Sequence, residues 1–237
     1  MKFGNQNFIF SGSAIKDGLV LYYNATSSLV SGSFGVNPPN WNSIAGINGT
    51  LYNNPIWTGS NGGIMGFNGS NQYTNLGYYE LYNNFSIAVW FKSTSQIANN
   101  TSGFIVSKDF SSGARGFGIG VSRILGFSGR IYLEVNGNPV ISPTGTVIDG
   151  DNIWHFMALQ VQSNVWSIYL DGNFLTSVTP TPPTPNALAP WYSPGRAYVG
   201  VFDSFIGQIS DLQLYNRPIS SSEIVSLYSG SKARFGL

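Results

Sequence analysis

The chain has 237 residues, of which 15% are aromatic and 9% are charged, and it contains no cysteine. These figures exclude a disulfide scaffold, and they exclude a disordered chain because burying so many aromatic rings offsets the entropy of ordering the backbone. Eleven lysines and arginines are scattered among ten aspartates and glutamates, so we expect no nucleic-acid partner. No apolar run approaches about 18 residues, so we expect no membrane insertion.

Alternation of apolar and polar residues, with many β-branched and aromatic types, predicts strands along most of the chain. In chain order, the predicted strands lie at residues 18–23, 85–91, 103–108, 116–121, 130–136, 153–162, 165–170, 197–202 and 207–215. The alternation in the fifth of these places Ile131, Leu133 and Val135 on one face. Many short strands with regular turn signals are typical of an all-β sandwich or jelly roll.

Two dipeptides between predicted strands indicate hairpins. Asn136-Gly137 follows the strand at 130–136, and Asp171-Gly172 follows the strand at 165–170. Both dipeptides accept the positive φ angles that a type I′ turn requires.

One short helix is predicted near the end of the chain. Ser220 and Glu223 are spaced as a capping box, in which each side chain satisfies a free backbone amide of the other residue. Ile224 and Leu227 then begin an apolar stripe, and Gly230 is expected to end the helix. A helix of about two turns is unstable alone, so we expect it to pack on a sheet.

Two segments, 30–43 and 179–194, lack strand periodicity. The second holds six of the 12 prolines. Because proline donates no ladder hydrogen bond, this segment is not expected to form a central strand. We expect an extended surface segment that displays Trp191 and Tyr192.

The order and spacing of several segments resemble the LamG-like, concanavalin A-like lectin/glucanase jelly rolls. The matching segments are GLVLYY at 18–23, GTLYNNPIW at 49–57, GIMGFNGSNQYTNL at 63–76, FSIAVWFK at 85–92, IWHFMALQV at 153–161, WSIYLDGNFLTS at 166–177 and YVGVFDSFIGQISDLQLYNRPISSSEIVSLY at 198–228. The last segment is the most specific, since a strand with F-x-G-x-I-x-D-x-x-L-Y precedes a short helix. The resemblance implies two antiparallel sheets in a jelly-roll sandwich with one short C-terminal helix.

No linker divides two cores along the chain. We therefore expect a single domain at residues 18–230, an N-terminal extension at 1–17 and a C-terminal tail at 231–237. The resemblance also implies a range of functions, because such domains are often carbohydrate-binding or adhesion modules, some of them calcium-dependent. A minority of the wider superfamily are glycoside hydrolases, and similar domains occur in viral structural proteins. The fold alone does not choose among these functions.

A glycoside hydrolase requires two carboxyl groups that flank the scissile bond. The chain has three glutamates, Glu80, Glu134 and Glu223, and none has an acidic partner at strand spacing. The single histidine, His155, lies in a predicted strand, and with no cysteine present it cannot build a structural zinc site. We therefore expect no catalytic residues and no enzymatic activity.

Calcium is the one cofactor that these considerations leave open. Residues 24–28, where the family often carries acidic residues, contain none. Asp109 and Asp203 are weak candidate ligands, because calcium prefers carboxylate oxygens but acids at strand ends more often form turns.

Gly116, Gly118 and Gly120 leave one face of their predicted strand flat. Such a face serves either packing within the sheet or the approach of another chain or a glycan. Exposed aromatic side chains in loops are the other candidates for partner binding, since they stack on sugar rings and also anchor protein interfaces. The candidates in loop-like context are Trp41, Trp57, Tyr73, Trp191 and Tyr192.

We expect a non-catalytic, surface-displayed recognition or adhesion module that binds a glycan or a surface protein. The alternative is a virion structural protein, such as a capsid decoration, vertex or fibre component, that contacts other virion proteins or itself. A glycoside hydrolase is a distant third. No signal peptide is visible at 1–12, yet the 9% of charged residues is far below the usual value of about 25%. This neutral surface favours an extracellular or virion-surface location.

Overall fold

The computed structural model describes residues 15–24, 40–43, 46–81, 83–94, 102–110, 115–122, 129–141, 147–183, 190–194 and 205–237. Its strands are β1 (Leu19–Tyr23), β2 (Asn40–Trp41), β3 (Gly49–Tyr52), β4 (Ile56–Thr58), β5 (Ile64–Asn68), β6 (Tyr73–Gly77), β7 (Asn84–Ser93), β8 (Ser102–Phe110), β9 (Arg115–Ser122), β10 (Ile131–Val135), β11 (Asn138–Ile141), β12 (Trp154–Gln162), β13 (Val165–Leu170), β14 (Asn173–Val178), β15 (Trp191–Ser193) and β16 (Ile206–Tyr215). Its helices are α1 (Ser221–Ser231) and 3₁₀ turns at Ser60–Gly62 and Lys232–Phe235. The predicted strands are confirmed, apart from that at 197–202, which lies outside the described residues.

The described strands form two antiparallel sheets of eight strands each, packed face to face around one core. Sheet 1 has the order β14-β13-β12-β7-β16-β5-β4, and β1 also pairs with β16. Sheet 2 has the order β11-β10-β9-β8-β15-β6-β3-β2. This architecture confirms the predicted jelly-roll sandwich with one short C-terminal helix. In the described part of the chain, no helix is long and apolar enough to cross a membrane.

Both predicted hairpins are confirmed. Asn136 and Gly137 join β10 to β11 with φ angles of 53° and 70°. Asp171 and Gly172 join β13 to β14 with φ angles of 51° and 78°. Two consecutive positive φ angles are the mark of the type I′ turn, whose twist matches that of the paired strands.

An aromatic quartet joins the two sheets within the core. It consists of Phe85 and Trp166 from sheet 1 and Phe117 and Trp191 from sheet 2, and all four side chains are buried. The ring centroids of Phe85 and Phe117 lie 5.5 Å apart, and those of Phe117 and Trp191 lie 5.3 Å apart. Edge-to-face and offset contacts of this kind contribute about 0.5–1.5 kcal/mol each beyond the area that they bury.

The position of Trp191 corrects the expectation for residues 179–194. Trp191–Ser193 forms β15, which pairs with β8 on one side and β6 on the other, and is therefore a central strand. The prediction was wrong because the prolines flank these three residues, at Pro190 and Pro194, and none lies within the strand. No ladder hydrogen bond is lost to proline in β15 itself.

The glycines of β9 serve packing within sheet 2, the first of their two expected roles. A Cβ atom on Gly118 would lie 2.6 Å from Cε1 of Phe104, and one on Gly120 would collide with the carbonyl oxygen of Gly103. The Phe104 ring also stacks on Tyr132, with centroids 5.7 Å apart. The space beside Gly118 and Gly120 is therefore filled by Phe104 and the backbone of Gly103, both on the neighbouring strand β8.

The predicted capping box is present at the start of α1. The Ser220 backbone amide donates to Glu223 Oε2 at 2.7 Å, and the Glu223 amide donates to Ser220 Oγ at 3.3 Å. Ile224 and Leu227 are buried against the outer face of sheet 1, as the short helix requires.

The expected end of the helix at Gly230 is wrong. The helix continues through Ser231 into the 3₁₀ turn, and Gly236 ends it with a φ of 81°. Tertiary contacts explain the extension, because Trp90 Nε1 donates to Ser231 Oγ at 2.9 Å and the Phe235 ring stacks on Trp90 at 4.2 Å. The residues expected as a tail, 231–237, thus pack on sheet 1.

A buried ion pair holds this C-terminal segment to the sandwich. Arg234 Nη1 lies 2.7 Å from Oδ2 of Asp211, which occupies a bulge in β16 with a φ of 48°. The Tyr22 hydroxyl donates to Asp211 Oδ1 at 3.3 Å, and Arg234 Nη2 donates to Ser210 Oγ at 2.8 Å. Burial raises the pKa of Asp211, and the charge of Arg234 offsets part of that increase.

Replacing Arg234 with alanine should lower the free energy of unfolding by about 3 kcal/mol, because it leaves the Asp211 carboxyl buried without its partner. The measurement is urea unfolding of the whole chain. Lys232→Ala is the matched control, since Lys232 is an exposed cation on the same 3₁₀ turn and should cost about 0.5 kcal/mol or less. Equal effects of the two substitutions would contradict a structural role for the Asp211–Arg234 pair.

Candidate functional site

Three of the five aromatic candidates are not displayed in loops. Trp41, Trp57 and Trp191 lie on β2, β4 and β15, and their side chains are 0%, 2% and 0% exposed. Each strand is short, and its tryptophan takes the inward position in the core. The expected loop position of these tryptophans is therefore wrong, and their rings are inaccessible to a ligand.

The other two candidates are brought together on the outer face of sheet 2. The rings of Tyr73 and Tyr192 meet edge to face, with centroids 5.7 Å apart. A third tyrosine, Tyr52, stacks on Tyr73 at 4.6 Å with an interplanar angle of 8°. Tyr52 is 39% exposed, and the other two rings are half-buried.

Strand register places polar side chains beside these rings. Tyr52 pairs with Tyr73 across β3 and β6, and in the next row Asn75 pairs with both Thr50 and Tyr192. Directly paired residues on neighbouring strands share a face, so all five side chains lie on the same side of sheet 2. We call these five residues the tyrosine platform.

The platform has polar groups that are available to a ligand. Asn75 Oδ1 accepts from the Gly77 amide at 2.9 Å, which orients the side chain. Within the described residues, neither Asn75 Nδ2 nor the Thr50 hydroxyl has a hydrogen-bond partner. Amides and hydroxyls both donate and accept, and none of the five platform residues is charged.

Two interlocked turns support the Tyr52 end of the platform. Gln72 Nε2 donates to the carbonyl oxygens of Asn53 at 3.1 Å and Asn54 at 2.6 Å, and Gln72 Oε1 accepts from the Asn68 amide at 2.8 Å. Asn53 Nδ2 in return donates to the Asn71 carbonyl oxygen at 2.7 Å. These bonds order the backbone next to Tyr52 and Tyr73 before any ligand arrives, which reduces the entropy cost of binding.

Sequence reasoning did not identify Tyr52, although a signal was present. In the segment GTLY at 49–52, Gly49 and Leu51 are buried while Thr50 and Tyr52 are exposed. That alternation predicts an outward tyrosine on a half-buried strand. Its contact with Tyr73 could not be predicted, because it depends on the register between β3 and β6.

His155, the single histidine of the chain, is held between two carboxylates. Its Nδ1 lies 2.8 Å from Asp171 Oδ2, and its Nε2 lies 2.9 Å from Asp151 Oδ2. Burial alone would lower the pKa of His155, but the hydrogen bonds to Asp171 and Asp151 outweigh that effect and raise it. Both ring nitrogens are thereby committed to carboxylates, so neither is available as a general base for a nucleophile.

The raised pKa of His155 makes stability depend on pH. A folded-state pKa above the ordinary value of about 6.5 means that the contribution is complete below that pH and is lost as the pH rises through the folded-state value. The difference in unfolding free energy between the wild-type protein and His155→Gln, measured in urea, should therefore be larger at acidic than at alkaline pH. A difference that is the same at both pH values would contradict a raised pKa of His155 between Asp151 and Asp171.

Of the two calcium candidates, the structure locates one. Asp109 lies within β8 rather than after its end, and Asp203 lies outside the described residues. Among the residues that the structure describes, no group of three or more acidic, histidine or cysteine side chains is arranged to hold a metal. Calcium binding stays an untested prediction.

Two of the three glutamates are bonded to other side chains, and the third is exposed. Glu223 pairs with Arg217 at 2.6 Å, and that guanidinium, with the Ser220 hydrogen bonds, lowers the pKa of Glu223 to about 2 against the opposing effect of burial. Glu134 accepts from the Tyr132 hydroxyl at 2.8 Å, and Glu80 is exposed.

Comparison with protein families finds a match that covers most of this sequence. The model of the family described as the concanavalin A-like lectin/glucanases superfamily, Laminin_G_3, matches residues 68–225. Comparison with the curated proteins finds no match.

Several solved structures share the fold. Trypanosoma rangeli sialidase in complex with sialic acid is 16% identical with a TM-score of 0.67, and the alignment covers 92% of this chain and 33% of the sialidase. Domain 4 of AbnA, a GH43 extracellular arabinanase from Geobacillus stearothermophilus in complex with arabinotriose, is 19% identical with a TM-score of 0.59, covering 89% of this chain and 98% of that domain. The binding domain of Paraclostridial Mosquitocidal Protein 1 is 14% identical with a TM-score of 0.64, covering 89% and 52%. This chain therefore spans about a third of the sialidase, and these identities show a common fold alone.

Proposed function

Because the chain belongs to the concanavalin A-like lectin/glucanases superfamily, we propose that it is a non-catalytic carbohydrate-recognition module that binds glycans on the tyrosine platform. The observation that carries the proposal is the contact of Tyr52, Tyr73 and Tyr192 on the outer face of sheet 2. Aromatic rings beside a few well-placed polar groups are the usual composition of a small-ligand site.

The chemistry of the platform suits a sugar. A sugar ring has an apolar face of C–H groups and an edge of hydroxyls, so it needs an aromatic surface next to neutral donors and acceptors. Tyr52 offers an exposed ring, and Thr50 and Asn75 offer a hydroxyl and an amide in the adjacent row. The two interlocked turns order the backbone next to Tyr52 and Tyr73, which favours binding without rearrangement.

The absence of catalysis is part of the proposal. The five platform residues include no carboxylate, whereas glycoside hydrolysis requires two. Elsewhere among the described residues, Asp151 and Asp171 are committed to His155, and Asp211 to Arg234. We expect no release of reducing sugar from any polysaccharide that the protein binds, and measured turnover would contradict this part of the proposal.

Two of the similar structures support carbohydrate as the ligand class. Domain 4 of the arabinanase is recorded with arabinotriose, and the sialidase with sialic acid. These ligands are properties of those proteins, and at such identities they support the proposal only as an analogy. No described feature favours the virion alternative, so it stays a prediction, as does the extracellular location.

Replacing Tyr52 with alanine should weaken the binding of array-identified glycans at least about tenfold, a loss of about 1.4 kcal/mol. The substitution removes the most exposed ring of the platform, while the fold should lose only about 0.2–1 kcal/mol of cross-strand contact. A glycan array first identifies the glycans to which the wild-type protein binds. Calorimetry then measures the affinity of each variant for those glycans.

Phe174→Ala is the matched control for this experiment. Phe174 is also an exposed aromatic residue, 59% accessible, but it lies on edge strand β14 of sheet 1. Its removal should leave the affinity unchanged. An array without any bound glycan would refute carbohydrate recognition, and equal losses in the two variants would refute the platform as the site.

A further inference from the structure

A cavity lies on the outer face of sheet 1, at the edge formed by β4, β5 and β16. Ile56, Gly66 and Gln208 are register partners across β4, β5 and β16, so they form one row across this edge of the sheet. The cavity over this row has a volume of about 250 Å³. The row lies beside the area that α1 and the C-terminal segment cover, since Ile64, two residues from Gly66, belongs to the cluster packed under them.

A missing side chain creates the space. Gly66 forms part of the cavity floor, and a Cβ atom there would meet only Ile56, at 3.3 Å from its carbonyl oxygen and 3.9 Å from its Cβ. Ile56 is 57% exposed, so one wall of the cavity is an apolar side chain open to solvent. A larger residue at position 66 would fill the space that the glycine leaves.

Three of the polar side chains that line the cavity are neutral and available to a ligand. Thr58, Thr94 and Gln208 line it, and none of their side chains has a hydrogen-bond partner among the described residues. Two hydroxyls and one amide both donate and accept. Lys92 pairs with Gln208 in the ladder but does not line the cavity, and its ammonium lies 5.7 Å from the centre of the Trp154 ring.

We propose that this cavity is a second binding site, for a single neutral sugar ring. Pockets for drug-sized ligands enclose about 300–1,000 Å³, so a space of about 250 Å³ suits one ring rather than an oligosaccharide. The exposed Ile56 wall faces the apolar side of such a ring, and the three neutral polar side chains match its hydroxyls. Since none of the described residues that line the cavity is charged, binding should be independent of salt.

The test is a nuclear magnetic resonance titration of the full chain with five neutral sugars: D-glucose, D-galactose, D-mannose, L-arabinose and N-acetyl-D-glucosamine. At least one should produce saturable shifts at the Gly66 amide and the Gln208 side-chain amide, unchanged by added salt. No saturable shift at these positions with any of the five, or a response confined to low salt, would overturn the proposal.

Two variants connect the shifts to the cavity. Gly66→Val fills the floor with a residue that strands favour, and Gln208→Met keeps the side-chain length while removing its hydrogen bonds. Gly66→Val should abolish the shift of the Gln208 side-chain amide, and Gln208→Met should abolish the shift of the Gly66 amide. The control Gln162→Met, the same change at an exposed position on sheet 1, should leave both shifts intact. Shifts that survive both Gly66→Val and Gln208→Met would overturn the proposal, and thermal melting verifies that each variant is folded.

The second site stands or falls separately from the tyrosine platform. Tyr52→Ala should leave the shifts at Gly66 and Gln208 unchanged, because Tyr52 lies on the other sheet. Cavity shifts, together with array-glycan binding that Tyr52→Ala leaves unchanged, would sustain this site and refute the platform as the glycan site. Sugar-induced shifts at Tyr52 and Tyr73, with none at Gly66 and Gln208, would support the platform and refute the cavity as a binding site.

Discussion

The aromatic quartet between the sheets is the constraint on which the rest of the structure depends. Because side chains alternate between the two faces of a strand, burying Trp191 against Phe85 and Phe117 turns its neighbour Tyr192 outward. The same alternation buries Leu51 and exposes Tyr52. The tyrosine platform is thus the outer counterpart of the core, and a register shift of one residue would remove both together.

Sequence predicts the locally encoded parts of this fold well. The turns at Asn136 and Asp171 and the capping box at Ser220 depend on residues only a few positions apart, and each was found where expected. The helix end and β15 were not predicted, because distant contacts decide them. The hydrogen bond from Trp90 to Ser231 stabilises the helix beyond Gly230. Pairing with β6 and β8 makes a strand of three residues in a proline-rich segment.

The candidate site shows the same division. Tyr73 and Tyr192 were identified from residue type, but type alone also selected Trp41 and Trp57, whose rings fill the core. Large aromatic residues are the best core fillers and also the best ligand-stacking groups, so composition cannot separate the two roles. Only the register of β3, β6 and β15 shows which rings meet on the surface.

The packed C-terminal segment determines how the molecule presents its two faces. Phe235 and Arg234 hold that segment on sheet 1, whereas the tyrosine platform lies on the outer face of sheet 2. A partner or support that contacts the helix-covered sheet would therefore leave the tyrosines unobstructed.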